Sequence, residues 1–498
     1  MLQIITNGRF WDENLNVLKP VDAGTEFGEF KKNTLQAKYS KNLLKYILGC
    51  LKSREDERYT RPQLLKHFEE VLSTPRGIYI PPVIHDTAKE PYKQTKYKLL
   101  IPEGLTHQEG LVYEKLIQIA AARKDNPALL TPHIITITDL AKDYDDLMAM
   151  MCLKELHRLG LVHLEGFVAN LIPAEKRALF GRGALNSLGL DEIPCAVGTV
   201  GDEMRTHNEQ SHEFKNAQAF MAPDAYTPHL PEGQQFLKQA FSKAVKENRK
   251  LTFLGISSLM DIETFAKTHG ELLQKGLGNV VLQGGYRVIN GNLTADPAAA
   301  NNAFDMHSAI AFHKFLQEHK IHSTAWTKVA TEAVVIYNTL FEFLDKTEHP
   351  LGPYIRKVQV NQDLNFYARA CTDKPFAPHM TQDWYVHTKS TWFAAGHEPD
   401  EVYPLGEAMV PYFTKVIAYD ALAAVGAAGE DVLDAFKIIK PLTKRPDAAD
   451  PIHRLIGVPR VDKLPADHNI DGDEMGLVIT ALMKGSILAV KHGLKSSP

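Results

Sequence analysis

From His133 onward the chain alternates short β-branched, apolar runs with stretches of helical periodicity, and this alternation narrows the fold more than anything else in the sequence. The runs are Ile134–Thr138, Val162–Ala169, Cys195–Val200, Leu251–Ile256, Val280–Leu282 and Ile321–Trp326, with helical segments between most of them. Short apolar strands spaced by helices are the pattern of βαβ units, so the expected class is α/β: an open, mostly parallel sheet with helices on both faces. The first run stops at Asp139, and Asp143, Asp145 and Asp146 follow before a helix read from Leu147 to Leu159, ended by Gly160. Acidic side chains therefore crowd the carboxyl end of a strand and the first turn of the next helix, the place where open α/β sheets bind ligands. One or two Asp residues there would be ordinary helix caps. Four within eight residues repel one another, which points to a bound divalent cation or to catalysis.

A net charge of −4 gives no electrostatic case for nucleic acid or for an anionic membrane, and Lys246–Lys250 reads as a solvated helix end. Cys50, Cys152, Cys195 and Cys371 lie far apart without a C-x-x-C pair, which disfavours a zinc site or a disulfide framework and suits a reducing compartment. The first residues lack the pattern of a secretory signal, and no apolar run approaches the roughly twenty residues that span a bilayer. The expectation is a soluble cytoplasmic protein, unless a specialised secretion system exports it.

Residues 1–130 read as a mostly helical extension that packs on the core. Helices are expected at Lys41–Lys52, at Arg61–Leu72 behind Thr60-Arg61-Pro62, and at Thr106–Arg123 with an apolar stripe of Leu111, Tyr113, Leu116, Ile117 and Ile119. Thr74–Pro102, with its prolines, reads as wrapping or linker chain. The main domain is expected over residues 131–430, with insertions at Asp202–Gln235 and Asp345–Glu401; residues 431–498 form a tail of the same domain with a final helix at Met475–His492. A further helix is expected at Phe413–Val425, with Asp420 inside an apolar stretch, a costly placement unless the carboxylate is paired, hydrogen-bonded or metal-bound. Other strand ends are polar too: Asn170 follows the second, Ser257 and Ser258 the fourth, and Gly284-Gly285 the fifth, with Asn301 and Asn302 beyond.

These patches, in this order, resemble the inosine/uridine-preferring nucleoside hydrolases, calcium-dependent N-ribohydrolases, over roughly Pro132 to Ala427. Asp139, Asp145 and Asp146 fall on the first, third and fourth aspartates of that family's D-x-D-x-x-x-D-D motif. The resemblance implies a Rossmann-like nucleoside hydrolase fold and a calcium ion held by Asp139, Asp146, Asp420 and the carbonyl of Ile256. It also implies ribose contacts from Asp145, Asn170 and Asn301. The departures matter as much. Ala141 replaces the motif's second aspartate, which in the family takes a proton from the attacking water; Tyr419 replaces a His beside the leaving base; Ala299 replaces a Glu beside the sugar. The form Asp139-Leu140-Ala141-Lys142-Asp143-Tyr144-Asp145-Asp146 is most similar to the nucleoside-hydrolase-like type III effectors of plant-pathogenic bacteria.

The implied chemistry is cleavage of a ribosyl N-glycosidic bond through an oxocarbenium-like sugar, which a carboxylate-rich pocket stabilises. Asp139 or Asp143 is the expected base, and Tyr419, Trp384 or Tyr385 a partner for the leaving base. The expected partner is a small ribonucleoside or other ribosyl compound. Two alternatives stand beside the enzyme: a binder of nucleoside or ADP-ribose that has lost hydrolysis at Ala141, and a protein acting on a host partner through residues 1–130 and the insertions. The sequence carries no signal for or against a homo-oligomer.

Overall fold

The β-branched run after Pro132 forms β1 (His133–Thr138), and the later runs form β2 (His163–Ala169), β3 (Cys195–Val197), β4 (Leu251–Gly255), β5 (Leu277–Gln283) and β8 (His322–Trp326). A hairpin, β6 (Tyr286–Ile289) and β7 (Asn292–Ala295), follows β5, and β9 (His453–Ile456) comes near the end. The computed structural model of the protein describes residues 11–12, 17–18, 92, 100–126, 129–201, 212–375, 380–441, 452–458 and 468–494. The helices expected at Lys41–Lys52 and Arg61–Leu72 lie outside these residues. The chain divides into two compact units, Glu90–Tyr385 with Pro404–Pro498, and Met1–Lys89 with Val386–Tyr403; every element labelled here belongs to the first.

The central sheet has seven strands in the order β9-β8-β5-β4-β1-β2-β3, and all its pairings are parallel. From β1 the chain runs through β2 and β3 to one edge, then returns to β4 on the other side of β1 and builds toward β9. The direction of winding thus reverses between β1 and β4, and ligand crevices open at such switch points. The hairpin turns at Asn290-Gly291, both with positive φ (52° and 77°), as a two-residue type I′ loop requires.

Successive residues of a strand point to opposite faces, so the sheet sorts its own core. Ile134, Leu254 and Val281 enter one apolar cluster with α1 (His107–Asp125), α2 (Asp145–Arg158), α3 (Ala174–Ser187), α7 (Leu351–Ala370), α8 (Tyr419–Gly426) and α9 (Gly472–Lys491). Ile135, Ile137, Phe253, Val280 and Leu282 enter the other with α4 (Gly233–Lys246), α5 (Met260–Gly276) and α6 (Met306–Glu318). Helices cover both faces, as expected. Among the described residues no helix is long and apolar enough to cross a membrane.

Three readings need correction. The helix placed at Phe413–Val425 begins only at Tyr419, because the preceding Lys415–Val416 pairs in antiparallel fashion with Ile336–Tyr337. Asp420 consequently lies in a first helical turn, where the macrodipole favours a carboxylate, and not in mid-helix. The tail also contributes the edge strand β9 besides its helix. On α1, capped by the reciprocal Thr106–Glu109 box, Val112 is buried and Leu111 is exposed, so the apolar stripe is rotated from the one read in the sequence.

Beneath the sheet's carboxyl end, α2 is anchored by a buried ionic knot. Glu155 accepts from Tyr113 Oη at 2.7 Å and from Arg158 Nη2 at 2.6 Å, and lies 3.1 Å from Lys154 Nζ, which also donates to the Ser486 carbonyl on α9 at 2.9 Å. Burial alone would raise the Glu155 carboxyl, but Lys154 and Arg158 outweigh it and hold it at about 2. Glu155→Ala would leave two buried cations without their shared anion, and a loss of about 3–5 kcal/mol is expected in urea unfolding.

Candidate functional site

The loop after β1 is shaped by a residue far along the chain. Arg177, buried on α3, donates to the carbonyls of Asp139 at 2.8 Å, Leu140 at 2.7 Å and Ile172 at 3.0 Å. The Lys142 amide closes a turn onto the Asp139 carbonyl at 3.1 Å, and fully buried Ala141 between them adopts the left-handed conformation (φ 64°). Such a φ is uncommon away from glycine and persists where neighbours fix it. The turn delivers the chain to α2 with Asp145 and Asp146 in the first turn. Asp146 Oδ1 accepts from the Asp139 amide at 3.1 Å and from the Thr138 hydroxyl, which ties the helix start to the strand end. From the far side, α8 brings the Tyr419 amide to 3.3 Å from Asp145 Oδ2 and Asp420 into the same space.

Carboxylate oxygens of Asp143, Asp145, Asp146 and Asp420 all lie within 4.8 Å of one another. Asp145 Oδ1 and Asp143 Oδ1 are buried without a hydrogen-bond donor, although the two carboxyl groups are close enough to share a proton. Burial, then the neighbouring carboxylates, pushes Asp145, Asp146 and Asp420 well above the usual carboxylate range. Asp143 goes the other way: burial would raise it, but the bond with Asp145 and the charge of Lys142 hold it low. Lys142 Nζ sits 3.0 Å from Asp139 Oδ2 and 4.0 Å from Asp143 Oδ2, and 4.4 Å from the centroid of the Phe304 ring. Burial would lower its ammonium, but Asp139 and Asp143 outweigh that and keep it protonated.

The structure gathers Asp143, Asp145, Asp146 and Asp420, with Asp139 beside them on Lys142. Tyr419 opens α8 half-buried, and burial together with Asp145 raises its phenol, so the hydroxyl stays protonated. Ile256 lies just past β4, its amide on the Ile137 carbonyl at 3.0 Å, one strand away from the acidic loop. Asn170, at the end of β2, is fully buried and fully engaged: its amide nitrogen donates to the Ser258 carbonyl at 3.0 Å and Asp261 Oδ2 at 2.8 Å, and its oxygen accepts from Ser257 Oγ at 2.6 Å. Asn301 donates to Gln283 Oε1 at 2.8 Å, and Phe304, three residues on, carries its segment to Lys142. Tyr385 is fully buried against Tyr367 and Phe413, which leaves it no face for a leaving base.

Arg177, Lys142 and Asp261 are the site residues that the sequence reading passed over. Asp261 is buried on α5 and accepts from the Thr199 amide and hydroxyl, both at 2.8 Å, besides Asn170. Nothing local distinguishes it from an ordinary acidic residue in a first helical turn, since its partners lie 62 and 91 residues away. Arg177 was equally hidden, since two of its acceptors, the Asp139 and Leu140 carbonyls, lie 38 and 37 residues away. Chemically, the cluster offers only hard oxygen donors, some buried and unpartnered, and this donor set fits a hard divalent cation.

No family model matches the chain, and no curated protein matches it. Solved structures do. The effector protein XOO4466 aligns with 76% of this chain and 98% of its own at 20% identity, with a TM-score of 0.60. The type III effector protein XopQ, solved in complex with adenosine diphosphate ribose, aligns with 77% of this chain and 100% of its own at 21% identity, with a TM-score of 0.61. At this identity the likeness shows a common fold. A purine-preferring ribonucleoside hydrolase from Gardnerella vaginalis covers 72% of this chain at 15% identity, but its TM-score of 0.41 carries no argument.

Arg177→Met would strip three loop carbonyls of their donor, at about 1–3 kcal/mol for each carbonyl left buried without one. Unfolding in urea should show a loss of at least about 2 kcal/mol. An unchanged midpoint would mean that the loop does not depend on this arginine.

Proposed function

We propose that the chain binds a ribosyl compound over the acidic loop together with a calcium ion and hydrolyses its N-glycosidic bond. The observation that carries this reading is the convergence of four carboxylates within 4.8 Å at the switch point of a parallel sheet. Asp146 and Asp420 would hold the cation, with Asp145 and Asp143 alongside; Asp139 and the Ile256 carbonyl are further donors at the adjoining strand ends. When bound, the cation supplies charge that orients hydroxyls and makes a water more acidic.

The chain's own groups account for the remaining chemistry. Asp143, ionised between Lys142 and Asp145, is the acceptor for the water's proton. Asp139 and Asp145 face the positive charge that develops on the sugar as the bond lengthens. The Tyr419 hydroxyl, held protonated by burial and by Asp145, is the proton donor to the departing base. Asn301 and Asp145 contact the ribose, and Asn170 does so only by exchanging one of its present bonds.

A second reading has its own support. Ala141 carries no carboxylate, and XopQ, of the same fold, was solved with adenosine diphosphate ribose. In that reading the site holds ADP-ribose or a nucleoside without turnover. Chromatography after incubation with calcium and inosine, uridine, adenosine, cytokinin ribosides, NAD or ADP-ribose separates the two. Release of a base or of nicotinamide is expected, and Asp143→Asn should lower kcat about 100-fold or more while leaving ligand binding in calorimetry. No product from any of these compounds, with tight binding retained, would establish the binder.

The cation is tested separately. Calcium at about 100 times its Kd should add about 2.7 kcal/mol of stability, seen as a higher thermal midpoint. Asp420→Asn, which removes one of the repelling carboxylates, should raise the midpoint in chelator and abolish the calcium response. A calcium response that survives in Asp420→Asn would place the ion elsewhere.

A further inference from the structure

We propose that His133, His163 and Glu165 form a second metal site, for a borderline divalent cation such as zinc or copper(II), at the rim of the sheet opposite the acidic loop. Among the described residues this is the other group whose ligand atoms lie within 4.8 Å of one another. It is built into the sheet. His133 and His163 open β1 and β2 and are register partners, and Glu165, two residues beyond His163, is the extra residue where the pairing shifts between Leu164 and Gly166. β1 separates the two sites by its whole length, roughly 20 Å at 3.3 Å per residue.

The distances are those of a site before loading. His133 Nδ1 lies 2.8 Å from Glu165 Oε1, and His163 Nε2 lies 3.8 Å from the same oxygen. Ligands on a tetrahedral zinc at bonds of about 2.0–2.1 Å stand roughly 3.3 Å apart, so one gap opens and the other closes by about half an ångström. The carboxylate is already desolvated, with a side chain 7% exposed, while the imidazoles at 30% and 49% give a path from solvent. Burial and the neighbouring His133 lower His163, which favours the neutral imidazole that metals bind; burial would raise Glu165, but His133 and Arg249 hold it ionised at about 2. Three protein ligands leave a fourth position for water.

Arg249 is the resident counter-charge. Its Nη1 lies 2.9 Å from Glu165 Oε1, and its Nε already holds Glu247 Oε2 at 2.6 Å. Arrival of a dication releases the first contact, and the second retains the side chain. The His157 ring, 5.5 Å from that of His163 and edge-on to it, buttresses the exposed ligand. Imidazole nitrogens select zinc or copper over calcium, and the all-oxygen site selects the reverse, so one chain sorts two kinds of ion at its two rims.

The test uses the full chain, stripped with chelator and then kept in millimolar calcium so that the acidic loop is occupied. One equivalent of copper(II) should give an electron paramagnetic resonance spectrum with nitrogen splitting from two imidazoles. Zinc titrated calorimetrically should bind with one-to-one stoichiometry, weakened at least tenfold in His163→Ala and in Glu165→Gln and unchanged in Asp420→Asn. His163 is half-exposed, so its alanine variant keeps the fold; a circular dichroism spectrum matching the parent confirms this, and His163→Gln replaces it otherwise. A spectrum with oxygen ligands alone, zinc affinity unchanged in the His163 and Glu165 variants, or affinity lost in Asp420→Asn would each overturn the proposal.

Discussion

Mutual repulsion among buried carboxylates is the constraint around which this fold is arranged. Asp139, Asp145, Asp146 and Asp420 are all nearly inaccessible, and Asp143 stands against them. Such a cluster would open if the backbone carrying it were free to move. The backbone is instead held at three points: Arg177 grips the loop carbonyls, the Asp146 carboxylate is bonded to the strand end, and the Tyr419 amide that opens α8 and the Ile417 amide just ahead of it donate to Asp145 and to the Tyr144 hydroxyl. The amino ends of α2 and α8 both aim at the cluster and add partial positive charge. Below them the Glu155 knot fixes α2 to α1 and α9, so the strain at the rim is borne by a rigid scaffold. The result is a group of four carboxyl groups within 4.8 Å of one another, kept in place by the backbone around them.

A second network fixes the neighbouring strand ends. Asn170 after β2, Ser257 after β4, Thr199 after β3 and Asp261 on α5 share one set of hydrogen bonds. Gly198 allows this closeness, since a Cβ there would stand 2.8 Å from that of Asn170. These polar groups are thereby satisfied by one another, while Asp143 and Asp145 nearby each keep one buried oxygen without a hydrogen-bond donor.

The sheet was legible because buried parallel strands read as unbroken β-branched runs, and the runs at Ile134 and Leu251 have no helical competitor. Legibility failed where residues meet only in three dimensions. Lys415 and Val416 read as helix because they lie just ahead of an alanine-rich helix, and only pairing with Ile336 and Tyr337 moves them into a strand. The rim triad was invisible for a similar reason: His133 and His163 are thirty residues apart in sequence and adjacent only through sheet register. Of the acidic loop, the residue types and their place were readable. Which carboxylates converge was not, because that depends on the handedness of one alanine.

That alanine sets the path of the loop. With φ at 64° and its methyl in the apolar core, Ala141 does not hold a place for a side chain in the pocket; it turns the chain. A carboxylate at this position would enter hydrophobic surroundings, at a cost that an Asp pointing into a cation site would not meet. Two residues on, Asp143 brings its oxygen into the group formed by Asp145, Asp146 and Asp420. Lys142 lies between the two and draws Asp139 aside into an ion pair. One positive charge is then part of the loop itself, and it is placed where it favours an ionised Asp143. Ala141, Lys142 and Asp143 are therefore best understood together, as one acidic turn.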